Sequence, residues 1–464
     1  MTTQKKYDAL IIGSGQGGTP LATALAGEGG KTALVEEKHV GGTCINEGCT
    51  PTKTMVASAR SAYISRRAAN YGIGISGASV DMVKVRQRKR NMVRSFREGS
   101  ENRIKKAQGL DLFMGRAKFI DPKSVLVSMN HGNENTLRAE HIFINTGTRP
   151  RIPGIRGIES VPYLTSTTIM ELDAVPGHLI IVGGGYIGLE FGQMFRRLGS
   201  DVTIVHRGHQ LLMREDLDIA EEVLKIIRED GIDVMLNTNP TEARIFKESW
   251  IELSLKRGSE EKTVIGSHIL LAAVRIPNTD SLNIERAGVE LDERGFIKVN
   301  ERLETNIQGI YALGDVKGGP AFTHISYDDY RILHANLVKN GERSTRDRPV
   351  PYTVFTDPQL GRVGMSEGEA KSKGANYRVA KIPMSWVARA LEVDETRGVM
   401  KALVDPDTEQ ILGAAVLGTE GGELMVMLQI AMMGRVPFTA LRDTVFAHPT
   451  LAESLNNLFT YIEE

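Results

Sequence analysis

Thiol chemistry in this sequence rests on two residues. Cys44 and Cys49 are its two cysteines among 464 residues, set as C-x-x-x-x-C within the stretch Gly41–Lys53, GGTCINEGCTPTK. A disulfide across so short a loop removes little unfolded-state entropy, which makes a structural staple a poor use for it. A dithiol that opens and closes fits better. Thr-Pro follows Cys49 and suits the start of a helix, whose N-terminus can lower a thiol pKa from about 8.5 to roughly 3.5–7.5. The alternative use of the same spacing is two buried, inert cysteines.

A second kind of chemistry is written in glycine. The strand-like YDALII (Tyr7 to Ile12) runs into Gly13-Ser-Gly15-Gln-Gly17-Gly18, then a helix of small residues, then the strand KTALVE ending at Glu36. Glycines allow the turn and the close approach of a pyrophosphate. The helix N-terminus faces the anion, and an acid about 20 residues on binds ribose hydroxyls. The pattern recurs once, as the chain's only clear internal repeat: His178–Val182, the turn Gly183-Gly-Gly185-Tyr186-Ile187-Gly188, a helix to Leu198, and the strand Asp201–Val205. Two such folds imply two dinucleotides. The second ends not in an acid but in His206-Arg207, with Arg214 nearby. Arginine there pairs with a 2′-phosphate, so NADPH is expected over NADH; the alternative is a merely exposed strand end.

The elements that position these groups follow in order. A helix is expected from about Thr52 to Ala69 and another over roughly Asp81–Ala107, the latter carrying the basic run Arg86-Gln-Arg-Lys-Arg90. That run reads as a solvated helix face, with Val83, Val85, Met92, Val93 and Phe96 for packing and no interleaved aromatics to stack on bases. Strands are expected at Leu112–Phe119, Ser124–Met129 and His141–Asn145, and the proline-rich RPRIPGIRGI marks a domain junction. Beyond the second nucleotide turn, Ile219–Arg228 reads as a helix, followed by meander strands in VMLNT, ARIFKE, WIELSLKR and HILLAAV. From Pro349 strands and helices alternate without a nucleotide turn, an α+β domain, and its methionines 425, 427, 432 and 433 sit at helical spacing as core or interface filler. Lys plus Arg and Asp plus Glu number 57 each, so no global field favours nucleic acid or acidic partners. No secretory signal or membrane-length apolar run is visible, and a cytoplasmic setting is expected, where a lasting disulfide is usually catalytic or redox-sensing.

With GSGQGG and Glu36, GGTCINEGCTPTK, TGTRP, GGGYIG, YALGDV and the terminal HPTLAE, the chain resembles the FAD-dependent pyridine nucleotide–disulfide oxidoreductases, the family of glutathione reductase, dihydrolipoyl dehydrogenase and mercuric reductase. The resemblance spans essentially the whole sequence. It implies an α/β fold of two Rossmann-like domains and a C-terminal α+β dimerisation domain: residues 1–150 with 279–348 for FAD, 151–278 for NAD(P)H, and 349–464 for the interface. It implies a homodimer with an active site shared across subunits, taking a small disulfide or metal-ion substrate. FAD contacts are implied at Gly13, Gly15, Gly18, Glu36, Gly42, Thr43, Thr146, Gly147, Gly314 and Asp315, and nucleotide contacts at Gly183, Gly185, Tyr186, Gly188, His206 and Arg207. Cys49 matches the flavin-proximal thiol and Cys44 the outer thiol that exchanges with substrate. Lys53 and Glu190 match a pair beside the flavin; a cation there would stabilise negative charge on reduced flavin. His448 and Glu453 match the acid–base pair reaching the other subunit's Cys44, the histidine serving near neutral pH with Glu453 orienting it. Within the family, MREDLDIAEEV, TVFTDPQLGRVGMSEGEA and ARALEVDETRGVMK look most like mercuric reductases and related copper reductases. The chain departs from mercuric reductases in having His448 where they carry tyrosine and FTYIEE in place of a C-terminal cysteine pair, and it shows no N-terminal metal-capture domain. It also has Val274 where the family usually has glycine. Reduction of a disulfide or redox-active metal is the expected reaction, with a dihydrolipoyl dehydrogenase or glutathione reductase activity as the alternative and a non-catalytic flavoprotein as the competing class.

Overall fold

The computed structural model describes residues 4–247 and 250–462. Glu463 and Glu464, which close FTYIEE, and Glu248, the last residue of ARIFKE, lie outside the described residues. The chain divides into two compact units.

The first unit comprises residues 1–54, 84–152 and 274–348. Its sheet is built on the strand Gln4–Ile12, which pairs in parallel with Thr32–Glu36 on one side and Glu134–Ile144 on the other. Leu110–Asp121 extends the first edge in parallel, Ile310–Ala312 the second, and Ser124–Met129 joins antiparallel to both long strands. Side chains alternate across a strand. Leu10 and Ile12 therefore enter one core with Val35, Phe119, Val125 and Leu137, while Ile11 enters another with Leu21, Leu34, Phe143, Leu313 and Ile332. A parallel sheet covered on both faces needs such continuous apolar runs. The helix Gly18–Gly27 follows the first strand, and Thr323–Val338 lies against it.

The second unit comprises residues 55–83, 153–273 and 349–464. Its parallel sheet runs in the order Asp233–Met235, Asp201–Val205, His178–Val182, His268–Leu271, Tyr163–Leu164. The expected meander is thereby redrawn. Val234 and Met235 of VMLNT and the strand HILL belong to the parallel sheet, and the antiparallel meander is Asn239–Phe246, Trp250–Arg257 and Glu260–Gly266. The last strand hides from pattern reading because its first four residues are polar and exposed. The C-terminal part is a five-stranded antiparallel sheet backed by the helices Gly421–Met433 and Ser454–Thr460. Charge is buried inside this unit. Arg197 pairs with both Asp230 and Asp357, Arg397 also reaches Asp230, and Gln193 bonds the main chain of Asp357 at both N and O. Arg362 pairs with Glu215 and Asp216, and Lys401 with Asp218 and Glu367.

Candidate active site

The dithiol is shaped by a short helix and a glycine. Gly42–Asn46 forms one helical turn carrying Cys44, and the longer helix Cys49–Arg66 starts on Cys49 itself, three residues earlier than the sequence pattern predicts. Between them the chain folds back so tightly at Gly48 that a Cβ there would lie 3.2 Å from Cys44 Cα and 2.9 Å from Thr43 O. No disulfide joins the two cysteines; Cys44 is half-buried and Cys49 exposed. Hydrogen bonding with Cys49, followed by burial, pushes the Cys44 thiol well above its ordinary pKa. The hydroxyl of Thr323, the first residue of its helix, lies 3.3 Å from Cys49 Sγ. Asn46 closes the short helix onto Gly42 O, and Arg97 Nε donates to Asn46 Oδ1 at 2.7 Å. The basic helix, observed as Met82–Lys106, thus braces the thiol loop with Arg97 and the Thr54 carbonyl with Arg88. Of its apolar residues Val93 is buried, whereas Val83, Met92 and Phe96 are exposed.

Around the first glycine turn the backbone leaves no room for side chains. A Cβ on Gly18 would lie 2.1 Å from Gly13 O, and Gly13 holds a φ of +103° against the Asn145 carbonyl. Gly42 packs its own backbone on Gly15. The helix Gly18–Gly27 has no acid in its first turn, so no carboxylate of its own competes for the positive end of its dipole. Glu36 is held by Ser14, whose N and Oγ donate to Oε2 at 3.1 and 2.7 Å. Thr146 and Gly147 are tied to Asn278, and Thr43 is exposed beside Cys44. Asp315 sits in the 3-10 turn Gly314–Lys317, accepts from Thr148 Oγ1 at 3.2 Å, and burial pushes its carboxyl above the usual range. Together these residues fit FAD: an anion seat for the pyrophosphate, a fixed acid for ribose, and a buried carboxyl for hydroxyls.

The second turn repeats the plan with one exchange. A Cβ on Gly188 would lie 2.0 Å from Gly183 O, while the space beyond Gly185 is open, and Tyr186, partly exposed, starts the helix Tyr186–Leu198. Where Ser14 N donates to Glu36, Gly184 N donates to His206 Nδ1 at 3.1 Å. The imidazole is therefore neutral with its proton on Nε2, and burial lowers its pKa further. That Nε2 is buried and makes no well-formed hydrogen bond. Arg207 and Arg214 are exposed nearby in sequence.

The remaining predicted residues are divided between the units. Lys53 lies one turn after Cys49 on its helix, in the first unit; Glu190, in the second, is buried and accepts from Phe355 N at 2.9 Å. His448 donates from Nδ1 to Glu453 at 2.8 Å, its side chain 67% exposed with Nε2 left free to act. Three residues escaped sequence reasoning. Asn145 is the keystone of the first turn, accepting from Gly18 N at 2.9 Å and donating to Leu313 O at 2.8 Å; nothing in its sequence setting signals this. Asp329, fully buried between Lys317 and Arg348, accepts from Gly314 N at 2.8 Å and so fixes the turn that presents Asp315. It was detectable as an acid on the buried stripe Ile325, Asp329, Ile332, Leu333. Thr323 is the third.

Comparison with known proteins agrees with this geometry. Residues 7–329 match the pyridine nucleotide-disulphide oxidoreductase family and residues 350–459 its dimerisation domain. The chain is 40% identical over 462 residues to the probable pyridine nucleotide-disulfide oxidoreductase RclA of Escherichia coli, covering 99% of this chain and all of the relative. It is 33% identical to a mercuric reductase of Staphylococcus aureus, over 97% of this chain and 81% of the relative, and 35% identical to a dihydrolipoyl dehydrogenase of Haloferax volcanii, over 97% and 94%. A solved Cu(II) complex of the HOCl-induced flavoprotein disulfide reductase RclA superposes with a TM-score of 0.89, at 40% identity over 98% of this chain and 99% of that one. The chain belongs to the pyridine nucleotide-disulphide oxidoreductases and is an FAD-dependent NAD(P)H oxidoreductase.

Proposed function

We propose that Cys44 and Cys49 form the redox-active pair of this flavoenzyme and deliver electrons to a thiol-reactive acceptor, a small disulfide or a redox-active metal ion. The observation that carries the reading is the pair itself: the chain's two cysteines, brought side by side by the turn at Gly48 within the unit that holds the flavin cradle. FAD, held by the residues of that cradle, would supply the two-electron transfer chemistry between the reduced nicotinamide and the disulfide. In this reading residues 1–150 and 279–348 hold FAD, residues 151–278 hold the nicotinamide nucleotide, and residues 349–464 form the dimer interface. Lys53, one turn after Cys49 on its helix, serves the flavin edge, and Glu190 keeps the role that the resemblance implies.

Cys44 is the exchanging thiol, and its raised pKa means that it needs a base at neutral pH. His448, oriented by Glu453, supplies one. The exposed side chains of Val426, Met427, Ile430 and Met433 line one face of the helix Gly421–Met433 and suit a second copy of the chain. The partner subunit's His448 then faces Cys44, takes its proton for attack and returns one to the leaving thiolate. Met425 and Met432 instead pack into the core, so the methionine cluster divides between core and interface. The neutral His206 with Arg207 favours NADPH over NADH. A reducing cytoplasm is the setting in which such a pair is catalytic. The likeness to RclA, solved with Cu(II), and to mercuric reductases supports testing metal ions beside disulfides as acceptors.

The test is anaerobic NADPH titration of the yellow protein, followed by a panel of Cu(II), Hg(II), oxidised glutathione and lipoamide. Long-wavelength charge-transfer absorbance and two new thiols are expected, with Cys44→Ser retaining flavin reduction and losing acceptor turnover. Full acceptor turnover by Cys44→Ser would overturn the assignment.

A further inference from the structure

Thr323 takes no part in the reading above, yet its hydroxyl touches a reacting atom. It opens the helix Thr323–Val338 after Phe322, whose backbone is extended, and its Oγ1 lies 3.3 Å from Cys49 Sγ, within hydrogen-bond reach of sulfur. The same hydroxyl weakly favours the charged form of Cys44 as well, against the larger raising effects of Cys49 and burial. A threonine hydroxyl has one proton, and a thiolate only accepts. Whichever sulfur carries the charge receives that proton.

Two further features decide which sulfur this is. Cys44 is half-buried and Cys49 exposed, and burial disfavours charge. Cys49 is also the first residue of a helix of 18 residues, where the N-terminal field favours a thiolate. We propose that Thr323 is a catalytic residue of the dithiol: its hydroxyl donates to the Cys49 thiolate, holds the negative charge of the reduced pair on that sulfur, and thereby sets how readily the pair is reduced.

This assignment rests on the redox reading of Cys44 and Cys49. In the step concerned, a hydride equivalent from NAD(P)H reaches the disulfide by way of FAD and the Cys44–Cys49 bond breaks. Each sulfur gains one electron, the proton ends on Cys44, and Cys49 remains a thiolate. Reoxidation by the acceptor remakes the bond, passes on two electrons and releases the proton. A bond that stabilises the thiolate lowers the Cys49 pKa and stabilises the reduced form.

The experiment uses holoprotein carrying Thr323→Val, Thr323→Ala or Thr323→Ser. One measurement is the pH dependence of Cys49 alkylation by iodoacetamide in the reduced protein, read by mass spectrometry. The other is the dithiol–disulfide equilibrium in dithiothreitol redox buffers; neither depends on turnover. Loss of the hydroxyl in Val and Ala is expected to weaken Cys49 acidity about tenfold, which is about one pKa unit. The same tenfold change makes the pair about 30 mV harder to reduce. Ser restores wild-type values. Wild-type values in Val and Ala, or a Ser variant shifted as far as Val, would overturn the role of the hydroxyl. A wild-type pair that does not cycle between disulfide and dithiol with NADPH would instead remove the redox reading beneath it.

Discussion

The exchange of an acid for His206 makes nucleotide choice the sharpest prediction. In the first fold a carboxylate receives the Ser14 N–H at 3.1 Å; in the second an imidazole receives the Gly184 N–H at the same distance. His206→Glu therefore places a carboxylate where the turn already offers it a donor. The ring is packed against Gly184 and Gly208, and a glutamate is smaller than the group it replaces. Hydrogen bonds from ribose hydroxyls to a charged acceptor are worth about 1.5–3 kcal/mol before discounting for exposure. Repulsion from a 2′-phosphate adds about 1 kcal/mol per charge at 4 Å in a water-like medium. Together they shift the preference by about 3 kcal/mol towards NADH, or about 100-fold. The assay is rapid-reaction flavin reduction by NADPH and NADH, wild type against variant, at pH 7.5. A ratio that moves by less than about threefold would refute the role given to His206, since it lies below the weakest single interaction counted above.

Asp329→Asn leaves Lys317 and Arg348 facing an uncharged side chain in a fully buried site, a class of change that costs about 3–5 kcal/mol. Because Asp329 anchors Gly314 beside Asp315, purified variant should lose FAD on gel filtration while wild type stays yellow. Acid should also destabilise the fold before carboxylates titrate. His141, His206 and His268 have pKa values lowered by burial, so the unfolded chain binds more protons below about pH 6.5, stability is complete above that pH, and it declines as pH falls through it. Among the described residues Asp315, whose carboxyl burial raises, acts in the opposite direction; the outcome expected from the histidines is a Tm at pH 5.5 below that at pH 7.5.

What the sequence disclosed follows from how local each signal is. The nucleotide turns were legible because a strand, a glycine turn and a helix are contiguous and their packing demands glycine at fixed positions. The dithiol was legible through scarcity and spacing. Asn145 was not, for its work is to join Gly18 to Leu313, and nothing local marks a residue whose partners lie 127 and 168 positions away. Thr323 is hidden for the same reason, 274 positions from Cys49. The strand Glu260–Gly266 was missed because strand formation there comes from pairing with Trp250–Arg257, and its exposed polar residues lack an apolar alternation.

The buried charges of the second unit bear on how this part of the protein can be rebuilt. Arg197, Asp230, Asp357 and Arg397 come from segments far apart in the chain, as do Arg362 with Glu215 and Lys401 with Asp218. Leaving one such charge unpaired costs more than the pair contributes. The segment around the second glycine turn is therefore not a portable module. A chimera that imports residues 151–278 from a relative inherits orphaned charges unless the matching positions around 357–367 and 397–401 travel with them.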